Sequence, residues 1–224
     1  MTTPRYHPSE ALLVQYAAGA LDAGRALVLA THLRACAACR AQMRLAEAVG
    51  GALIDDIEPE AVSDGALASV LARLDGPDGE PPPPPTPPSG PSGGRAHPPD
   101  WIVVPDEVIE AALRRKRWAA PGVWVAPVSH DASGRMTSYL LRIGAGMAVP
   151  KHTHRGEEIT CVLKGAFKDR GHIYRAGDLA ETDEDLEHQP RVTRDSECVC
   201  LIYAEGPLVP RDWVGRLFQP MVGI

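Results

Sequence analysis

The sequence predicts a two-domain α+β fold, in which a small all-α bundle is joined by a proline-rich linker to an all-β barrel. Three observations support this division. Apolar residues recur at helical spacing as far as Leu74, the composition then changes to proline, glycine and serine over residues 76–99, and short β-type runs follow. We place the domains at residues 1–76 and 99–224, with residues 77–98 as the linker.

Four helices are expected before the linker. Ser9 and Asp22 carry side chains that favour helix N-caps, and they mark the starts of the first two helices. The third helix carries Met43, Leu45 and Val49 at helical spacing. A bundle this small has little core, so a bound metal would supply part of its stability. The expected helices span residues 10–20, 23–35, 38–54 and 60–74.

Short strands are expected after the linker. Apolar and β-branched runs alternate there with glycine, proline and aspartate, which is typical of an all-β sandwich or barrel. One helix is expected at residues 107–115. The expected strands span residues 101–104, 123–128, 138–143, 158–163, 167–170, 179–181 and 198–204.

The totals argue against several classes of protein. The 224 residues carry a net charge of −6, which disfavours nucleic-acid binding through a broad basic surface. No apolar run reaches the roughly 18 residues of a membrane span, and the first residues lack the features of a signal peptide. The five cysteines are an odd number and two of them are clustered, which argues against a disulfide scaffold. We therefore expect a soluble cytoplasmic protein.

The first chemical motif lies in the helical region. His32, Cys36 and Cys39 follow one another at spacings of four and three, so they share a helix face. Two thiolates and an imidazole suit Zn²⁺, which usually takes four such ligands in a structural site, and His7 is a fourth candidate. The alternative is that two small apolar cysteines and a surface histidine share this helix by chance.

The second motif, G-x5-H-x-H-x3-E-x6-G, lies in the β region. His152, His154 and Glu158 have the same parity, so they face one side of a strand if that strand continues through Gly156. Two imidazoles and a carboxylate that converge inside a barrel form a site for Zn, Mn, Fe or Ni. His188, which follows a turn, is a candidate for a third imidazole. The alternative is a polar strand with surface histidines.

The second motif resembles the first signature of the cupin family. The second cupin signature is matched in part, because Gly177 and His188 stand in their expected places. Asp183, Asp185 and Val192 occupy the positions where proline, glycine and asparagine are usual. This resemblance implies a jelly-roll barrel with four metal ligands, namely His152, His154, Glu158 and His188.

The combination of the two motifs resembles the ChrR-type anti-sigma factors, which join a zinc-binding anti-sigma domain to a cupin. The resemblance implies one Zn²⁺ held by His7, His32, Cys36 and Cys39. It implies that the helices bind an extracytoplasmic-function (ECF) sigma factor as a heterodimer and block its contact with RNA polymerase. The cupin, expected to hold zinc as well, would sense singlet oxygen or organic peroxides. No catalysis, direct nucleic-acid contact or membrane contact is implied.

Three other cysteines lie in the β region. Cys198 and Cys200 alternate with Val199, so both thiols face one side of their strand. They are either buried small residues or thiols near the cupin metal that can be oxidised. The resemblance favours a sensing role, because ChrR-like cupins carry cysteines at these positions. Cys161 has the opposite parity to Glu158, and we expect it to pack outside the site.

Two rival functions remain open at this point. The first is a cupin-type metal-dependent dioxygenase with a zinc-bound adaptor, because three imidazoles and a glutamate serve catalysis when one coordination position stays open. The second is a thiol switch, in which Cys36 and Cys39 oxidise and eject zinc. The apolar stripe of the fourth helix is either core or a partner surface, and it consists of Leu67, Val70, Leu71 and Leu74.

Overall fold

The computed structural model describes residues 3–74, 106–130 and 135–210. The expected strand at residues 101–104 and the linker therefore lie outside the described residues. The domain boundaries at residues 76 and 99 also fall outside them and stay a prediction. Within the described ranges, no helix combines the length and hydrophobicity needed to cross a bilayer.

The described residues belong to two units. Residues 3–50 pack together with residues 106–130 and 135–210 in the first unit, and residues 51–74 belong to the second. The first two helices, and the third helix as far as residue 50, therefore lie in the same unit as the strands. The helices are α1 Glu10–Ala17, α2 Ala23–Ala35, α3 Ala37–Asp55, α4 Ala66–Leu74 and α5 Asp106–Arg114.

The structure confirms both expected caps. The Ser9 Oγ accepts a hydrogen bond from the Leu12 N–H at 3.3 Å, and the Asp22 Oδ1 accepts one from the Gly24 N–H at 2.9 Å. Each side chain thereby satisfies a backbone donor that has no partner within the helix. Helices α1 and α2 therefore begin directly after Ser9 and Asp22.

Two helices are shorter than the sequence predicts. Helix α1 ends before residue 20 because Gly19 takes a left-handed φ of +66°. Helix α4 begins at Ala66 and not at residue 60. The serine, aspartate and glycine at residues 63–65 favour turns, and the Ala66 N–H bonds the Ser63 carbonyl at 2.9 Å. The predictions for the other three helices are correct to within one residue.

Within the part of the β region that the structure describes, the strands form three antiparallel sheets. Their orders are β1-β2-β3-β10-β5-β8, β7-β6-β9 and β11-β4. The expected strand at residues 167–170 is one arm of a hairpin, because Arg170 and Gly171 both take positive φ and turn the chain into β7. The strands are β1 Arg117–Ala120, β2 Val123–His130, β3 Met136–Ile143, β4 His152–Thr153, β5 Glu158–Lys164, β6 Ala166–Asp169, β7 His172–Arg175, β8 Leu179–Thr182, β9 Arg191–Val192, β10 Cys198–Ala204 and β11 Val209–Pro210.

Both faces of the six-stranded sheet are buried. On its outer face, Leu29 of α2 shares an apolar cluster with Ile159 of β5 and Leu201 of β10. On its inner face, other residues of the sheet pack with Phe167 and Val192 of the three-stranded sheet. Strands β5 and β10 are therefore buried over nearly their whole length, without alternation between buried and exposed residues.

Candidate metal centres

The four side chains of the amino-terminal cluster come from the segment before α1, from the end of α2 and from the start of α3. His7 precedes α1, His32 lies in the last turn of α2, Cys36 caps that helix, and Cys39 lies in the first turn of α3. One donor atom from each lies within 4.8 Å of the others. The structure therefore brings together all four residues that the sequence singled out.

The spacing of these donor atoms fits a tetrahedral zinc. His32 Nε2 lies 3.3 Å from Cys39 Sγ, and His7 Nδ1 lies 3.4 Å from Cys36 Sγ and 3.3 Å from Cys39 Sγ. A tetrahedral Zn²⁺ with ordinary bond lengths separates sulfur from nitrogen by about 3.5 Å. Two thiols and two imidazoles are a donor set typical of structural zinc sites.

Burial sets the protonation of this cluster. His32, Cys36 and Cys39 are almost completely buried, whereas His7 is exposed. Burial lowers the pKa of His32, so its ring is neutral and free to bind a cation. Burial also raises the pKa of Cys39 to about 12, with the Cys36 thiol as a further cause. A bound divalent cation would reverse that shift and hold both sulfurs as thiolates.

The barrel cluster consists of three imidazoles whose Nε2 atoms converge. The Nε2 atom of His188 lies 3.0 Å from that of His152 and 3.0 Å from that of His154. Adjacent positions of an octahedral metal with nitrogen bonds of roughly 2.1 Å are separated by about 3.0 Å. Burial lowers the pKa of His152 to about 4 and that of His154 to about 3, so both rings are neutral.

Second partners orient two of these rings. The Nδ1 atom of His152 lies 2.7 Å from the Pro150 carbonyl oxygen, and the Nδ1 atom of His188 lies 2.9 Å from Asp169 Oδ2. A proton on Nδ1 leaves the Nε2 lone pair to point at the cluster centre. Asp169 could not be identified from the sequence, because no local spacing relates it to a histidine 19 residues later.

Glu158 lies beside the barrel cluster but is not part of the converging set. Its Oε2 atom lies 3.5 Å from Nδ1 of His154, and its Oε1 atom accepts a hydrogen bond from Thr160 at 3.2 Å. The strand does not continue through Gly156, which has a φ of +85°. Burial raises the pKa of Glu158 to about 7. Its part as a fourth ligand stays a prediction.

His152, His188 and Glu158 line a cavity of about 330 Å³ inside the barrel. Its walls are mainly apolar, and Tyr139, Phe167 and Ile202 are among them. Cys198 and Cys200 also line it, with their sulfurs 3.7 Å apart.

The other cysteines and histidines of the β region lie elsewhere. Cys161 packs in the cluster on the opposite face of the sheet, as its parity predicts. His130 is exposed, and the Nδ1 atom of His172 lies 3.2 Å from the hydroxyl of Tyr6. His97 lies outside the described residues.

Comparison with known proteins connects the two clusters to one family. A family model described as the ChrR cupin-like domain matches residues 106–208. The anti-sigma-E factor ChrR of Cereibacter sphaeroides is 40% identical over 222 residues, which cover 99% of this chain and 100% of that protein. A crystal structure of Rhodobacter sphaeroides SigE in complex with the anti-sigma ChrR matches with a TM-score of 0.71 and 38% identity, over 91% of this chain and 100% of that chain.

Proposed function

Because this chain belongs to the family of ChrR-type anti-sigma factors, we propose that it binds and inhibits an ECF sigma factor in the cytoplasm and releases it on an oxidative signal. The observation that carries the proposal is the likeness, over nearly the whole chain, to a protein crystallised in complex with SigE. The likeness covers the helices as well as the barrel, so it extends to the part that would bind the partner.

The helical part would hold one Zn²⁺ through His7, His32, Cys36 and Cys39. The ion would supply a structural cross-link, because its ligands come from the segment before α1, from α2 and from α3. The burial of His32, Cys36 and Cys39, and donor-atom separations suited to a tetrahedral ion, support this assignment. Without the ion, the thiols of Cys36 and Cys39 would remain buried in an apolar cluster without a metal to bind them.

Exposed apolar side chains provide surfaces for the sigma factor. Leu45 and Val49 of α3 are 68% and 55% exposed, and they lie one helical turn apart. On α4, Leu67, Val70 and Leu71 are at least half exposed. Apolar stripes of this kind are typical of helices that bury one face against a partner. We therefore assign the apolar stripes of α3 and α4 to binding of the sigma factor.

The barrel would be the sensory part. His152, His154 and His188 would hold a second divalent metal, proposed to be zinc, with Glu158 as the fourth ligand after a rotation of its side chain. The apolar cavity beside them admits small apolar molecules such as organic peroxides. Cys198 and Cys200 line the same cavity, which supports a role in sensing an oxidant.

The test is co-expression of the full chain with ECF sigma factors of the same genome, followed by purification, zinc measurement and transcription assays. We expect one sigma factor to co-purify at equal stoichiometry and to lose activity with RNA polymerase. His32→Ala should abolish the complex while the barrel stays folded, and His130→Ala is the matched control because its ring is exposed. If no sigma factor binds the zinc-loaded chain, the proposal is wrong.

A second candidate function, an iron-dependent dioxygenase, rests on one observation. Three converging imidazoles, two of which line an apolar cavity, also suit a catalytic metal with an open position. Metal analysis separates the two functions. Iron in the barrel with oxygen uptake on a diketone or thiol substrate would favour the enzyme, and zinc without turnover would favour the regulator.

A further inference from the structure

Asp178 of the barrel binds the segment that carries His7, at the two residues that precede this histidine. This carboxylate follows β7 and is almost completely buried. Its Oδ1 atom accepts hydrogen bonds from the backbone N–H groups of Arg5 at 2.6 Å and Tyr6 at 3.1 Å. The N–H of Leu179 donates to the Tyr6 carbonyl at 3.2 Å. Three hydrogen bonds therefore fix the two residues immediately before His7.

A second carboxylate holds the same segment on the other side of His7. Glu181 of β8 accepts two hydrogen bonds from Ser9, from the backbone N–H at 2.5 Å and from the hydroxyl at 2.9 Å. His7 is exposed and has no element of its own to support it. Its position relative to the cysteines therefore depends on Asp178 and Glu181.

The barrel also orients the second imidazole of the cluster. The Nδ1 atom of His32 lies 2.7 Å from the carbonyl oxygen of Gly177, so a proton on Nδ1 leaves Nε2 to face the cysteines. Gly177 has a φ of +93°, and a Cβ atom there would lie 3.0 Å from the Pro4 side chain and 3.4 Å from that of Ala35. Only glycine permits this close approach without strain.

We propose that Gly177, Asp178 and Glu181 of the barrel are positioning residues of the amino-terminal zinc site, so that the barrel sets the affinity of that site for its metal. This inference rests on the zinc site of the proposed function. The three residues donate no ligand atom, and they act through His7 and His32. Outer partners of this kind typically change metal affinity by about 10- to 100-fold when they are removed.

The same turn is bonded to β5, a strand that contributes Glu158 and Thr160 to the lining of the barrel cavity. The Gly177 N–H donates to the Val162 carbonyl at 2.8 Å, and the Val162 N–H donates to the Asp178 carbonyl at 3.0 Å. Val162 of β5 lies directly opposite Cys200 of β10. Two backbone hydrogen bonds therefore connect β5 to Gly177 and Asp178, which contact His32 and the segment of His7. A displacement of β5 at the cavity would move these two residues.

The test uses Co²⁺ as the probe in the full chain. Only the amino-terminal cluster contains cysteines among its proposed ligands, so a thiolate-to-cobalt charge-transfer band reports that site and not the barrel site. Chelator competition followed at this band measures the affinity. We expect Asp178→Asn and Glu181→Gln each to weaken Co²⁺ binding by about 10- to 100-fold and to alter the tetrahedral ligand-field bands. Glu184→Gln is the matched control, because Glu184 is an exposed carboxylate nearby.

Each result has a defined meaning. Loss of the thermal unfolding transition would show that Asp178→Asn does not fold. In that case Glu181→Gln tests the inference, because the Glu181 side chain is only partly buried. Unchanged affinity and bands in folded variants would overturn the inference while leaving the zinc site intact. Absence of the charge-transfer band in the unmodified chain would instead refute the zinc site of the proposed function.

Discussion

Asp169 and His188 form a buried pair at the edge of the barrel cavity, with Oδ2 of the carboxylate 2.9 Å from Nδ1 of the ring. A proton between these atoms fixes the ring so that its other nitrogen meets those of His152 and His154. The carboxylate also increases the basicity of the ring as a ligand. Asp169 therefore acts on the barrel site without contributing a ligand atom to the converging set.

The first prediction concerns this pair. Asp169→Asn should lower the metal affinity of the barrel site by about 10- to 100-fold, because the amide no longer fixes the ring through a charged acceptor. The measurement is competition of zinc between the full chain and a chromogenic chelator. Asp195→Asn is the control, since Asp195 is exposed. Equal affinity of both variants would exclude a role for Asp169 in metal binding.

The second prediction tests the packing of the helices on the sheet. Leu29 is fully buried in a cluster shared by α2, β5 and β10. Leu29→Ala should lower the free energy of unfolding by about 2–5 kcal/mol, through lost apolar contact and the cavity left behind. Leu53→Ala, at a side chain that is 65% exposed, should change it by less than about 0.5 kcal/mol. Urea denaturation measures both, and equal effects would contradict a shared core.

The third prediction separates partner binding from stability. Leu45→Asp should weaken sigma-factor binding by at least about tenfold, because a charge in the centre of an apolar contact stays unpaired when the partner covers it. The melting temperature should not change, since Leu45 is exposed. Val14→Asp is a matched control on α1, where the side chain is 57% exposed. Calorimetric titration that finds equal affinities would remove Leu45 from the interface.

The parts of the fold that depend on local patterns were predictable from the sequence. Caps such as Ser9 and Asp22 act within three residues along the chain. The first site was equally accessible, because His32, Cys36 and Cys39 are close in sequence, although they belong to the end of α2 and the start of α3 and not to one helix face. Errors appeared where the backbone departs from regular structure. Gly156 takes a positive φ between β4 and β5, so the expected continuous strand from His152 to Glu158 is interrupted, although Glu158 still lines the cavity with His152 and His188.

Interactions between distant parts of the chain could not be predicted in this way. Asp178 binds the N–H of Arg5 across 173 residues, and nothing in the neighbourhood of either residue indicates the other. Proline-rich sequence between the two parts suggested separate domains, yet residues 3–50 lie in one unit with the strands. The apolar run of β10 was the available signal, because a strand buried on both faces needs a second layer over it.

The fourth prediction concerns the two thiols of the cavity. The hydrogen bond with Cys198, together with burial, raises the pKa of Cys200 well above its ordinary value, so the resting thiol is protonated. Oxidation by an organic hydroperoxide, which yields one disulfide, the alcohol and water, should therefore be slow at neutral pH. It should accelerate about tenfold per pH unit as the thiolate fraction rises. Mass spectrometry of alkylated samples measures the rate.

The matched variant for this experiment is Cys161→Ala, because that thiol is buried on the opposite face of the sheet. Complexes of the unmodified chain and of Cys161→Ala should release their sigma factor after treatment with the hydroperoxide. Cys198→Ala and Cys200→Ala should retain it, since neither can form the disulfide. Release from all four proteins alike would show that the signal acts elsewhere, with the barrel metal site as the next candidate because His152 and His188 line the same cavity.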